Sequence, residues 1–233
     1  RISLFPAEEE LDKYLPLGLN TAFDEEFKFS PRDLILVGGR RGAGKSITCC
    51  NIANTVYESG KSAIYFTIEM DSREILQRCC SISTGISHER IRKRNLSLLE
   101  WEKVAAWWAS RFVDGQDKLI EYQEHRDFDR LHYELKTNCE LLPTQQLDVV
   151  YDASLTLSKI RAELDKKIKS AMNVGVIIVD YINQVKRSNL PSRAGQYDWT
   201  EQIEVSKALK SMAQEYEVPV YSPYQIDATG EAR

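Results

Sequence analysis

The chain has 233 residues, of which 42% are hydrophobic and 28% charged, as in an ordinary globular protein with one sizeable core. Its formal net charge of −4 excludes binding to nucleic acid by overall positive charge, so such binding needs local basic patches or several copies of the chain. The longest apolar runs have the length of strands, which excludes a membrane-spanning helix and a membrane as partner.

Five cysteines, an odd number that includes the adjacent pairs Cys49-Cys50 and Cys79-Cys80, argue against a secreted disulfide framework. We therefore expect a cytoplasmic location. The chain begins with Arg1 and no secretory signal follows, so we expect it to be part of a longer protein.

The predicted elements begin after a lead-in segment, residues 1–30. A short apolar strand at Asp33–Val37 is followed by a glycine-rich stretch and then by a helix at Ser46–Ser59. A second strand is predicted at Ser62–Ile68, and Asp71 or Ser72 caps a helix that continues to about Ser83.

Further strands are predicted at Leu147–Val150, Val174–Val179 and Val218–Ser222, with a helix at Trp199–Tyr216 before the last of them. The polar segment 113–146 fits this alternation poorly and is interpreted as an insertion or helical excursion. Alternating strands and helices predict an α/β domain of three layers around a mostly parallel central sheet. Ligands bind such sheets beyond the carboxyl ends of the strands.

The glycine-rich stretch from Gly39 to Ser46 matches the phosphate-binding pattern G-x-x-x-x-G-K-S between a strand and a helix. Glycines let the backbone N–H groups surround phosphate oxygens, and the start of the following helix adds positive potential. Lys45 is expected to neutralise the β and γ oxygens of the nucleotide, and Ser46 to bind Mg²⁺. The predicted nucleotide-binding residues are Gly39, Arg40, Arg41, Gly42, Ala43, Gly44, Lys45, Ser46 and Ile47.

Three polar residues lie at or just beyond the ends of predicted strands. Asp180 is the candidate second magnesium ligand, although aspartate at a strand end is also a common turn residue. Glu69 is placed to accept a proton from an attacking water, and Gln225 to sense the γ-phosphate. Each of these two side chains fits a solvated cap about equally well. The predicted catalytic residues are Lys45, Glu69 and Gln225.

Several segments resemble one family, the DnaB-type hexameric replicative helicases. The likeness includes FTIEM at Phe66–Met70, VIIVDYINQV at Val176–Val185, the helix from Glu201 to Val220, and the segments around the phosphate loop and after Ser222. It implies a RecA-like ATPase fold, with Glu69 as the catalytic glutamate and Asp180 as the Walker B aspartate. It also implies that Gln225 links nucleotide state to DNA.

The resemblance further implies single-stranded DNA as a ligand, a homo-hexamer, a primase or helicase loader as partner, and a bacterial or phage-infected cell as setting. The loops 186–199 and 226–233 correspond to those that line the family's central channel. The DNA-binding candidates are Lys186, Arg187, Arg193 and Arg233. The family's arginine finger corresponds to a motif downstream of Arg233.

The leading hypothesis is a motor that hydrolyses ATP or another NTP with Mg²⁺, moves on single-stranded DNA and unwinds duplex. A strand-exchange or regulatory RecA-type ATPase would share the fold and the phosphate loop. A nucleotide-binding loader or scaffold without helicase activity is a third possibility.

Overall fold

The computed structural model describes residues 16, 18, 21–26, 28–170, 172–186 and 199–226. Within these residues, five parallel strands form one sheet in the order β1-β5-β4-β2-β3. The parallel sheet predicted from the alternating pattern is confirmed. The strands are Leu34–Gly39 (β1), Ser62–Thr67 (β2), Leu147–Tyr151 (β3), Val174–Asp180 (β4) and Val220–Gln225 (β5).

Helices cover both faces of the sheet, which gives the three layers. None of the described helices is long and apolar enough to cross a membrane. They are Thr21–Glu26 (α1), Lys45–Glu58 (α2), Ser72–Thr84 (α3), His88–Arg92 (α4), Leu98–Ala109 (α5), Gly115–His125 (α6), Phe128–Asn138 (α7), Leu157–Lys169 (α8) and Trp199–Tyr216 (α9), with a 3₁₀ helix at Ile182–Gln184.

Strand β2 shows how the two cores arise. Its side chains alternate, so Tyr65 packs in the core beneath α2 and α3, whereas Ile64 and Phe66 pack in the core beneath α8 and α9. All six of its residues are buried. A strand buried on both faces has a continuous apolar sequence, which is why β2 was readable from the sequence.

The start of helix α3 is fixed by local chemistry. The Asp71 carboxylate accepts a hydrogen bond from the Glu74 backbone N–H at 2.8 Å and so satisfies one of the free donors of the first turn. Gly85 ends the helix in the left-handed conformation, at φ 71°. The predicted helix is confirmed, and of the two candidate caps, Asp71 and Ser72, the structure has Asp71.

Helices α4 to α7, residues 88–138, are called here the helical cluster. Segment 113–146, interpreted as an insertion or helical excursion, contains α6 and α7; its being an insertion stays a prediction. The cluster is joined to the sheet at Arg111, which is 7% exposed and donates from Nη2 to the Leu147 carbonyl at 2.8 Å. The Arg111 guanidinium also lies over the rings of Trp107 and Trp108.

Candidate nucleotide-binding site

The glycine-rich loop connects the end of β1 at Gly39 to the start of α2 at Lys45. Gly42 and Gly44 both have φ of 81°, a conformation that other residues rarely adopt. A side chain at Gly39 would bring its Cβ to 3.2 Å from Lys45 Cγ. The loop backbone therefore depends on glycine at positions 42 and 44, as the phosphate-binding pattern predicts, whereas a side chain at position 39 would require the Lys45 side chain to shift.

Lys45 folds back over this loop. Its Nζ donates to the Gly39 carbonyl at 3.0 Å and to the Arg40 carbonyl at 2.7 Å. The Gly39 carbonyl also accepts the Ile226 backbone N–H at 3.2 Å, which ties the loop to the segment after β5. The positive charge of Lys45 is thus concentrated at the loop. Among the other predicted nucleotide-binding residues, Arg40, Arg41 and Ile47 are exposed.

Asp180 ends β4 and is only 5% exposed. Burial raises the pKa of its carboxyl, while hydrogen bonds from Tyr65 and Ser46 lower it. The negative charge of Glu69 raises this pKa further, and the positive charge of Lys45 lowers it. The structure therefore brings Lys45, Ser46 and Glu69 close enough to Asp180 to shift the pKa of its carboxyl. The peptide bond between Asp180 and Tyr181 is cis.

The donor set fits Mg²⁺ better than a metal that takes all its ligands from protein. No group of three or more His, Cys, Asp or Glu side chains suited to a metal occurs within the described residues. Ser46 and Asp180 would supply two oxygen ligands, and Mg²⁺ characteristically takes its other ligands from water and substrate phosphates. These two residues would hold the ion.

Glu69 lies two residues beyond the end of β2 and is exposed. Its Oε1 accepts hydrogen bonds from the Tyr181 hydroxyl at 3.2 Å and from Gln184 Nε2 at 3.3 Å. Burial raises the pKa of Tyr181, and the neighbouring Glu69 charge raises it further. Tyr181 therefore remains a neutral hydrogen-bond donor to the Glu69 carboxylate.

Gln225 ends β5 beside Gly39, its register partner on β1. Its backbone N–H donates to Asn183 Oδ1 at 2.9 Å, and its carbonyl accepts from Asn183 Nδ2 at 3.4 Å. Gly39, Glu69, Asp180 and Gln225 thus all lie at the carboxyl edge of the sheet, where the order of strands and helices predicts a ligand site.

Four side chains of this edge were not singled out from the sequence. Tyr65 donates to Asp180 Oδ2 at 2.7 Å, while Tyr181, Asn183 and Gln184 contact Glu69 or Gln225. The last three belong to the segment VIIVDYINQV, which was noted for its family likeness only. Three polar side chains directly after a strand-end aspartate were the signal that could have identified them.

The predicted DNA-binding residues are described only in part. Lys186 is exposed, and its backbone N–H and C=O bond to Leu155 and Leu157, at 3.0 and 3.1 Å. Arg187, Arg193 and Arg233 lie outside the described residues. Their grouping with Lys186 stays a prediction.

The fold and the loop define the chain as a RecA-like domain with a P-loop. More narrowly, residues 18–233 match the family model described as DnaB-like helicase C terminal domain, and the chain belongs to that family. The resemblance found in the sequence is thereby confirmed.

Curated relatives are distant in sequence. The replicative DNA helicase DnaB of Geobacillus stearothermophilus is 24% identical over 221 residues, which cover 93% of this chain and 41% of that protein. A probable replicative DNA helicase of Trieres chinensis is 25% identical over 206 residues, 88% of this chain and 38% of the relative. The chain thus spans about two fifths of the length of these relatives.

Two solved structures share the fold. One, described as an ATPase domain, superposes with a TM-score of 0.65 at 18% identity, covering 94% of this chain and 66% of the other. A DnaB-like replicative helicase, described together with its interactions with primase, gives a TM-score of 0.61 at 16% identity, covering 88% and 41%. The predicted RecA-like architecture is therefore confirmed.

Proposed function

We propose that this chain is the motor domain of a replicative DNA helicase, which hydrolyses ATP or another NTP, moves on single-stranded DNA and unwinds duplex. The observation that carries the proposal is the convergence of Lys45, Ser46, Glu69, Asp180 and Gln225 at one edge of the sheet. Membership of the DnaB-like family supports the same assignment.

The phosphate groups of the nucleotide are held by the backbone N–H groups of the glycine loop and by the first turn of α2. Lys45 moves its ammonium from the loop carbonyls to the β and γ oxygens. Ser46 and Asp180 hold Mg²⁺, which when bound neutralises charge on the transferred phosphoryl group. Arg40 and Arg41 lie within the loop and add positive potential.

Glu69 is the general base. Its carboxylate accepts the proton of the attacking water, while Tyr181 and Gln184 fix its direction through their hydrogen bonds to Oε1. Gln225 lies beside the phosphate loop and contacts the γ-phosphate end of the nucleotide. The strand that bears it is followed in the sequence by 226–233, one of the two segments proposed to contact DNA.

Binding of DNA by a chain with net charge −4 is reasonable in a ring, because each subunit need supply only a few contacts to the phosphate backbone. Lys186, Arg187, Arg193 and Arg233 are the proposed contacts. We infer a homo-hexamer in the cytoplasm of a bacterium or a phage-infected cell. A primase or a helicase loader is the proposed protein partner, and the similar helicase described with its primase interactions supports the former.

The first test concerns nucleotide binding. Lys45→Ala removes the charge that faces the phosphates, so we expect fluorescent ATP analogues to bind at least about a hundredfold more weakly, as measured by anisotropy. Lys93→Ala is the matched control, because Lys93 is an exposed lysine of the helical cluster that pairs with Glu89. Equal binding by Lys45→Ala and the control would refute the assignment of the phosphate site.

The second test separates binding from chemistry. We expect Glu69→Gln to bind nucleotide normally and to lose turnover by a factor on the order of 10² or more, because the amide cannot take the water's proton. Glu89→Gln serves as the control. Turnover is measured with and without single-stranded DNA, alongside the mass in solution with nucleotide bound. Hydrolysis that ignores DNA, in a protein that stays monomeric, would favour a loader or scaffold.

A further inference from the structure

The backbone pairing between β4 and β5 stops before the carboxyl edge of the sheet. Its register contains Ile177↔Val220 and Ile178↔Tyr221, whereas β5 continues along β1 as far as Gly39↔Gln225. Pro223 lies in this last part of β5 and has no N–H to donate. Beyond Tyr221, β4 and β5 are therefore no longer held together by a regular backbone ladder.

Side chains bridge this gap. The Ser222 hydroxyl donates to the Val179 carbonyl at 2.5 Å. Further along, the Asn183 amide bonds to both backbone groups of Gln225, accepting at 2.9 Å and donating at 3.4 Å. An amide side chain has one acceptor and one donor group, as a peptide unit does. Asn183 thus takes the place of a missing strand neighbour for Gln225.

The same short turn also holds Glu69. Tyr181 and Gln184 both donate to Glu69 Oε1, and Gln184 donates to the Tyr181 hydroxyl as well. The turn is anchored between them by Ile182, which is 2% exposed and packs in the core beneath α8 and α9. Because β4 lies between β2 and β5, the turn touches the ends of both neighbours.

We infer that Tyr181–Gln184 is a positioning turn that couples Glu69 to Gln225. Asn183 sets the backbone of Gln225, and Tyr181 with Gln184 sets the Glu69 carboxylate, so a shift of either strand end is transmitted to the other. The inference rests on the proposed function, because it takes Glu69 as the base and Gln225 as the nucleotide sensor. Asn183 is a positioning residue and touches no reacting atom.

Hydrogen exchange tests the Asn183 arm without any need for DNA. In the wild-type chain, a non-hydrolysable ATP analogue with Mg²⁺ is expected to slow exchange severalfold in a peptide spanning 220–226. Asn183→Leu is close in size and removes both hydrogen bonds to Gln225. It should bind the analogue within about twofold of the wild-type Kd while losing the slowing.

Asn138→Leu is the matched control, because Asn138 is an exposed amide in the remote helical cluster that donates to Glu134. It should keep the full slowing. Circular dichroism checks that Asn183→Leu folds. If it does not, Asn183→Asp decides, since the carboxylate still accepts the Gln225 N–H but repels its carbonyl, and the slowing should then be weaker than in wild type.

The coupling would be overturned if the analogue still slowed hydrogen exchange in the 220–226 peptide of a folded Asn183 variant. It would also be overturned if a wild-type chain bound the analogue without any slowing of this exchange. A wild-type chain that does not bind the analogue would overturn the proposed function itself. The two failures are therefore distinguishable from the binding curve alone.

Steady-state kinetics test the Glu69 arm. Gln184→Leu removes one donor to the carboxylate, so kcat should fall about tenfold while KM for ATP stays unchanged. Tyr181→Phe should behave in the same way. Circular dichroism checks that both variants are folded, because an unfolded fraction would also lower the apparent kcat without changing KM. An unchanged kcat in both folded variants would show that the two donors do not position Glu69.

Discussion

Buried polar side chains at the candidate site depend on a few hydrogen bonds. Asp180 and Tyr65 are 5% and 0% exposed, and the Tyr65 hydroxyl is one of the two groups that bond to the Asp180 carboxyl. A buried carboxylate without such donors is costly to ionise. Tyr65 therefore helps to keep Asp180 ionised, the form in which a carboxylate binds a cation.

The five cysteine side chains differ sharply in their solvent exposure. Cys49, Cys50, Cys79 and Cys80 are at most 3% exposed, whereas Cys139 is half-buried. Burial raises the pKa of Cys80 to about 12, so its reactive thiolate is scarce even at alkaline pH. Burial likewise raises the pKa of Cys49, and a hydrogen bond with Cys50 that of Cys79.

We therefore predict that a thiol reagent labels one cysteine per native chain at pH 8 and all five after denaturation. Measured release of the coloured leaving group gives both numbers. Cys139→Ser should abolish the fast native reaction. Two or more fast thiols in the folded wild type would mean that the core beneath α2 and α3, or the packing of Cys80 against the helical cluster, opens readily.

The candidate site could be predicted where the signal is local and not where partners are distant in sequence. Gly39 to Ser46 is a contiguous motif, and the strand-end rule places Glu69 and Asp180 at the same edge. The Tyr65 to Asp180 hydrogen bond joins residues 115 apart, and the Asn183 to Gln225 bonds join residues 42 apart. Such pairings follow from strand order and register, which no single segment encodes.

Helices and strands could be predicted where their own residues determine them, and not where contacts with other parts of the chain do. Strands β2 and β4 are apolar runs and were located correctly. Strand β5, predicted at Val218–Ser222, lies at Val220–Gln225, because its polar end is held by pairing with β1. Helix α4 was not assigned. The apolar spacing around Trp101, Trp107 and Trp108 indicates a helix but not its start, which the capping box of Ser97 and Glu100 marks.

Helices α8 and α9 are joined by a hydrogen bond whose strength depends on pH. The Tyr216 hydroxyl donates to Asp165 Oδ1 at 2.7 Å. Burial, followed by this bond and the Asp165 charge, raises the pKa of Tyr216 from the usual 10.0 to about 12. Since the folded protein favours the protonated phenol, the stabilisation is complete below pH 10 and is lost as the pH rises towards 12.

We predict that Tyr216→Phe lowers the free energy of unfolding at pH 7.5 by about 1 kcal/mol through loss of the hydrogen bond. Urea titrations should show this difference shrinking between pH 10 and 12, because wild-type Tyr216 then ionises. Tyr133→Phe, at a 65% exposed tyrosine, should match wild type throughout. A difference that is constant with pH would show that the bond to Asp165 does not form.

The whole molecule contains more than one packing unit. The two main cores lie on either face of the sheet, and the helical cluster has a further core of its own around Leu131 and Leu135. The nucleotide site belongs entirely to the sheet and its flanking helices. The cluster contacts the sheet through α3 and at Arg111, so we expect its stability and the integrity of the site to be separable properties.

A pair of matched substitutions tests this separation. Leu135, in the cluster core, is 0% exposed and Leu164, in the core beneath α8 and α9, is 1% exposed. Leu→Ala at either buried position should cost about 2–5 kcal/mol. Three of the four tryptophans, Trp101, Trp107 and Trp108, lie on α5, so tryptophan fluorescence mainly follows the cluster, while nucleotide binding follows the sheet.

We predict that Leu135→Ala moves the fluorescence transition to lower urea and leaves the binding transition nearly unchanged. Leu164→Ala should move the binding transition, since it weakens the sheet whose carboxyl edge carries Asp180 and leads into the phosphate loop. If both probes shift together in Leu135→Ala, the cluster and the sheet unfold as one cooperative unit.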